Sequence, residues 1–114
     1  MSLFDLNNEV AVVIGATGAL GGACAQAMAE AGHEVASHSW RWIDYADMPE
    51  DEEREHIRLA IETIEALTGT RPYGWYTGRY SLNTRRLLVE EGGIVYSSDA
   101  YNDDLPYWVE VAGT

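Results

Sequence analysis

Three glycines spaced three apart, Gly15, Gly18 and Gly21, follow the apolar run Val10 to Ile14 and precede an alanine-rich stretch reaching Ala31. A buried strand, a tight turn and a helix in that order form a phosphate cradle, because the turn lets a pyrophosphate approach the backbone and the helix N-terminus faces it. The residues placed to touch such a ligand are Gly15, Thr17, Gly18, Leu20 and Gly21. A strand–helix packing turn that binds nothing has the same residues, so both readings stay open. The rest of a dinucleotide site is missing: the second strand, Val35 to Trp40, ends without the acid that would hold a ribose. The chain also contains no lysine, which removes Schiff-base chemistry and the phosphate-gripping lysine of a P-loop.

Other chemistry-bearing residues are sparse. Three histidines, His33, His38 and His56, are too scattered to read as a metal site, which needs three or four converging ligands. His33 stands at a helix stop and His56 within a charged helix, whereas His38 lies on the second strand, as a pocket group or a buried core residue. Asp99, Asp103 and Asp104 form a loop carboxylate cluster without the spacing of a calcium-binding EF-hand loop. The single cysteine, Cys24, reads as a small apolar residue on a helix face. Arg85 and Arg86 read as answering the acids around them.

The elements that must position these residues alternate. Strands are expected at Val10 to Ile14, Glu34 to Trp40, Tyr73 to Thr77 and Ile94 to Ser97, with a fifth at Tyr107 to Val111. A helix covers Leu20 to Ala31 and stops at Gly32. A second begins after Asp47 as cap, with Pro49 and four acids in its first turn, and its stripe Ile57, Ala60, Ile61, Ile64 and Leu67 has helical spacing. A third is capped by Ser81 and closed by Gly92 and Gly93. Strands alternating with helices imply parallel pairing through helical crossovers.

With 114 residues, 46% of them hydrophobic, the chain supports one domain with a modest core. The net charge is −12, and the seven arginines face fifteen acids within residues 41–114. Nucleic acid and anionic membranes are therefore poor partners, since both demand a basic patch. The absence of a long apolar run and of a basic leader leads us to expect a soluble, cytoplasmic protein.

With the preceding Asn8 to Val13, the glycine turn resembles the cofactor-binding start of the short-chain dehydrogenase/reductase family over about residues 3–35, although Ile14 and Ala19 depart from that family's common pattern. The resemblance implies NAD(P) at the turn and a catalytic Tyr-x-x-x-Lys, and a chain without lysine cannot supply the latter. The remainder resembles another family. Gly32-His-Glu-Val-Ala-Ser-His38-Ser-Trp-Arg-Trp42, Thr70-Arg-Pro-Tyr-Gly-Trp75-Tyr-Thr-Gly-Arg79 and Ser97-Ser-Asp99 through Leu105-Pro-Tyr-Trp108 run collinearly with the polysaccharide deacetylase-like family, and within it the allantoinase branch. This implies part of a β/α barrel, hydrolysis of a cyclic amide such as allantoin, and His38, Trp75 and Arg79 as remnant pocket residues. Deacetylases of this kind hold a divalent cation with an Asp and a His-x-x-x-His pair, but four residues after His38 stands Trp42 and the early Asp is replaced by the glycine turn, so no metal is expected.

The combined expectation is an α/β chain with a parallel sheet of four to five strands and βα repeats, three-layered or curled like half a barrel, starting in a Rossmann-like βαβ unit. It is one domain, 1–114, in which a Rossmann-like 1–35 meets a deacetylase-like 32–114. The join reads as an engineered chimera without native catalysis. The alternatives are a hydrolase of the allantoinase or deacetylase type and a small NAD(P)-binding module. Uncovered sheet edges or faces would favour a homodimer. No cofactor is required, and NAD(P) should bind with a dissociation constant on the order of millimolar, roughly 4 kcal/mol. Calorimetric titration with NAD and NADP checks this, and a low-micromolar constant would contradict it.

Overall fold

The computed structural model describes residues 11–13 and 18–114. Its elements are β1 (Ala11–Val13), α1 (Ala19–Glu30), β2 (Val35–Ser37), α2 (Glu50–Thr68), β3 (Gly74–Trp75), α3 (Thr84–Glu91) and β4 (Tyr96–Ser97). The strands are parallel and lie in the order β1-β2-β3-β4, with Ala11 opposite Val35, Ser37 opposite Trp75 and Gly74 opposite Tyr96. The dinucleotide-binding strand order 3-2-1-4-5-6 would place the fourth strand against the first; here β4 lies against β3 instead. The helices follow the same sequence, α1 packing on α2 and α2 on α3. Among the described residues no helix is long and apolar enough to cross a membrane.

Local chemistry explains the boundaries. Helix α1 ends in a Schellman arrangement: Gly32, at φ +86°, donates to the Ala29 carbonyl and His33 donates to that of Met28. Asp47 does not cap α2; Pro49 occupies the N-cap and its carbonyl accepts the Glu53 N–H, while Asp44 instead accepts the N–H of Ala46. Ser81 likewise precedes the N-cap of α3, which is Asn83. The strands are shorter than expected. Strand β2 stops at Ser37 because Ser39 takes φ +65° and turns the chain out of the sheet. No strand forms at 107–111 among the described residues, where Trp108 is 96% exposed: no neighbouring ladder or apolar surface is there to seat it.

The core forms where the stripe of α2 meets the sheet. Ile57, Ala60 and Ile61 pack with Trp75 of β3 and Leu87 and Leu88 of α3, flanked by Trp40 and Ile94, while Ile64 joins Ala25 and Val35. Leu67, the last member of the stripe, is half-buried. Outside the core, Arg54 and Arg86 each pair with both Glu50 and Glu90, a ring of charge that ties α2 to α3. Its members are well exposed, so each pair contributes little alone.

Gly74 is where the β3–β4 pairing demands glycine. A Cβ there would fall inside the ring of Tyr96, whose hydroxyl donates to Glu34 Oε1 at 2.6 Å. Gly74→Ala must displace that ring or the strand, and overpacking of this kind costs about 1–3 kcal/mol. We expect a loss of that size in urea unfolding, and an unchanged midpoint would contradict the packing described.

Candidate functional site

The two loops that leave the C-terminal ends of β2 and β3 face each other across an open cavity of about 440 Å³, lined by His38, Trp42, Ile43, Tyr76, Thr77, Gly78 and Arg79. His38 follows directly on β2. It is 9% exposed, its ring meets that of Tyr76 edge-on at 4.7 Å, and its Nδ1 has no hydrogen-bond partner among the described residues. The imidazole itself lines the cavity. Arg79 and Trp42 form the exposed rim, Trp42 being 83% exposed.

The β3–α3 loop is held from several directions. The Tyr76 N–H donates to the Ser37 carbonyl and the Tyr45 N–H to that of Arg79. The buried Asp99 carboxylate accepts the N–H groups of Thr77 and Gly78 at 2.7–3.0 Å. The Thr77 hydroxyl meets Ser39 Oγ at 3.2 Å and accepts the indole N–H of Trp75 at 2.9 Å. At the far end Ser81 and Thr84 donate their hydroxyls to Glu53, a carboxylate that is 1% exposed.

The β2–α2 loop, which carries Trp42 and Ile43, is fastened by a second set. Tyr45 is buried; its hydroxyl accepts the Arg41 N–H at 3.2 Å and lies 3.0 Å from His56 Nδ1, to which it donates when the imidazole is neutral. Burial raises the Tyr45 pKa and lowers that of His56, the latter opposed by Glu52. The concavity beneath Trp40 that these residues line has no open space.

The structure thus brings His38 and Arg79 to one cavity. Trp75 is not part of it, because its ring is spent on the α2–α3 core and only its indole N–H points toward the loop. Gly15 and Thr17 lie outside the described residues; Gly18 is the extended N-cap of α1, and Leu20 and Gly21 are in its first turn, with Leu20 exposed. Cys24 is exposed on α1. The loop carboxylates separate: Asp99 is buried against Thr77 and Gly78, and Asp103 and Asp104 are exposed. Arg86 does pair with acids, whereas the Arg85 guanidinium lies over the Tyr80 ring at 5.7 Å.

Among the described residues no three His, Cys, Asp or Glu side chains converge as metal ligands. Among the described residues that line the cavity His38 is the one imidazole, and a divalent cation needs three or four converging ligands.

Two adjacent parallel strands with a histidine and an arginine at their C-terminal ends are the arrangement in which barrel enzymes collect substrate-facing groups. The sequence profile of the polysaccharide deacetylase family matches residues 10–94. The chain belongs to this family. The match runs through the glycine turn as well as the cavity loops. Over 90 residues the chain is 48% identical to a polysaccharide deacetylase-type protein of Schizosaccharomyces pombe, covering 73% of this chain and 28% of that one. Two crystal structures, a polysaccharide deacetylase-type protein of Pseudomonas aeruginosa PAO1 and an allantoinase, each superpose with a TM-score of 0.72 at 57% identity, over 76% of this chain and 29% of theirs. The chain therefore spans less than a third of these relatives.

The burial of His56 makes stability depend on pH in a definite direction. The fold prefers neutral His56, and the unfolded chain takes up the proton first, near the ordinary value of about 6.5. The stabilisation is present above that pH and is lost as pH falls through it toward the lower folded pKa. We expect the urea midpoint to drop more steeply between about pH 7.5 and 5.5 in the parent than in His56→Gln; equal slopes would contradict the assignment.

Proposed function

We propose that the cavity between the β2–α2 and β3–α3 loops is one wall of the substrate pocket of a hydrolase of the allantoinase or deacetylase type, acting on a cyclic amide. The observation that carries this reading is the convergence of His38 and Arg79 on one cavity. The 57% identity to an allantoinase structure supports the choice of a ureide. Hydrolysis adds water to the amide carbonyl carbon, breaks the C–N bond and delivers a proton to the departing nitrogen. His38, whose imidazole lines the cavity and whose Nδ1 has no partner among the described residues, is the group able to hold or move that proton. Arg79 donates to the carbonyl oxygen as negative charge develops on it. Trp42 and Tyr76 offer aromatic faces to a flat ring. The remaining walls of the pocket would come from regions of the relatives that this chain does not span.

The fusion without native catalysis makes the opposite prediction, so one set of assays decides. The chain is incubated with allantoin, with and without zinc, and titrated with allantoin while its Trp42 and Arg79 side-chain NMR signals are followed. We expect those signals to move, and any saturable turnover to fall by about 10²-fold or more in His38→Ala, the lower end of general acid–base contributions. Turnover that neither His38→Ala nor Arg79→Ala alters would mark a contaminant. Absence of both turnover and signal movement would overturn the reading.

A further inference from the structure

We propose that Asp99 is the positioning residue for Arg79: its buried carboxylate clamps the Thr77–Gly78 turn and thereby fixes where the guanidinium enters the cavity. The inference rests on the reading of that cavity as a substrate wall. Asp99 is 2% exposed, and all its partners among the described residues are neutral. Gly78 N–H donates to Oδ1 at 2.7 Å, Thr77 N–H lies 3.0 Å from both oxygens, and Ser97 Oγ reaches Oδ2 at 3.4 Å. A buried anion without a counter-cation is tolerated only where N–H groups converge on it, so the carboxylate holds the turn in the one shape that presents both amides.

The turn needs such a clamp. Gly78 adopts φ +80°, and glycine has no side chain of its own to hold that conformation against the many others open to it. Arg79 follows immediately, and its carbonyl accepts the Tyr45 N–H. With Asp99 behind and Tyr45 ahead, the backbone on both sides of Arg79 is fixed, and Arg79 lines the cavity together with Trp42 and His38. Asp99 touches no ligand in this arrangement; it acts through the turn.

The test compares the full chain with Asp99→Asn, Arg79→Ala and the double variant. In the parent, scalar couplings across the hydrogen bonds from the Thr77 and Gly78 amide nitrogens to the Asp99 carboxylate carbon should be measurable without any substitution, and their absence overturns the clamp even if a variant fails to fold. In Asp99→Asn, hydrogen exchange at Thr77 and Gly78 should speed up at least tenfold beyond the change across α2; a uniform change would show a general loss of stability and overturn the proposal. The Kd for allantoin should rise at least tenfold in Asp99→Asn, and Arg79→Ala should add nothing further in the double variant. Additive losses would mean that Asp99 does not act through Arg79. A parent chain indifferent to allantoin overturns the ureide reading alone, since the couplings and exchange rates still decide the clamp.

Discussion

The cavity depends on negative charge buried at both ends of the β3–α3 loop. Asp99 arrives from beyond β4 and takes the amides of Thr77 and Gly78; Glu53 arrives from α2 and takes the hydroxyls of Ser81 and Thr84. Neither carboxylate has a cationic partner among the described residues, so each is stable only while its donors stay converged. The loop geometry and the burial of charge are therefore one condition. Removing either carboxylate frees one end of the segment that carries Arg79.

The β2–α2 loop is held by different physics. A tyrosine hydroxyl joins a backbone amide to a neutral imidazole, and the pair is buried next to Glu53. The two loops meet directly where Tyr45 N–H binds the Arg79 carbonyl and Ser39 meets Thr77. This cross-bracing sits above the first pairing between β2 and β3, so the parallel register sets which side chains share the cavity. Outside that brace, Val95, Leu105 and Trp108 are exposed.

Much of the architecture was legible in the residues. The helical spacing of Ile57, Ala60, Ile61 and Ile64 placed α2, and the conformational demand at Gly32 and Gly92 placed the ends of α1 and α3. The caps were misread at Asp47 and Ser81, because a side-chain oxygen near a helix start competes with other partners: Ser81 gives its hydroxyl to Glu53 and accepts from Asn83. Trp75, a pocket candidate from the family resemblance alone, packs its ring into the core while its neighbours Tyr76 and Thr77 line the cavity. Alternation sends Tyr76 to the side opposite Trp75, and the large indole went to the core. The expected fifth strand shows the same limit, since the apolar residues at 107–111 form no strand without a ladder beside them.

The residues alone carry the βα alternation and the acidic, lysine-free chemistry. These are properties of spacing and residue type, which act over a few neighbours. Only the tertiary structure decided that β4 lies against β3, that Asp99 clamps a turn 22 residues earlier, and that Glu53 is buried under hydroxyls 28 and 31 residues later. Each of those is a long-range contact whose stability comes from excluding water around several groups at once. No local pattern records which groups those will be.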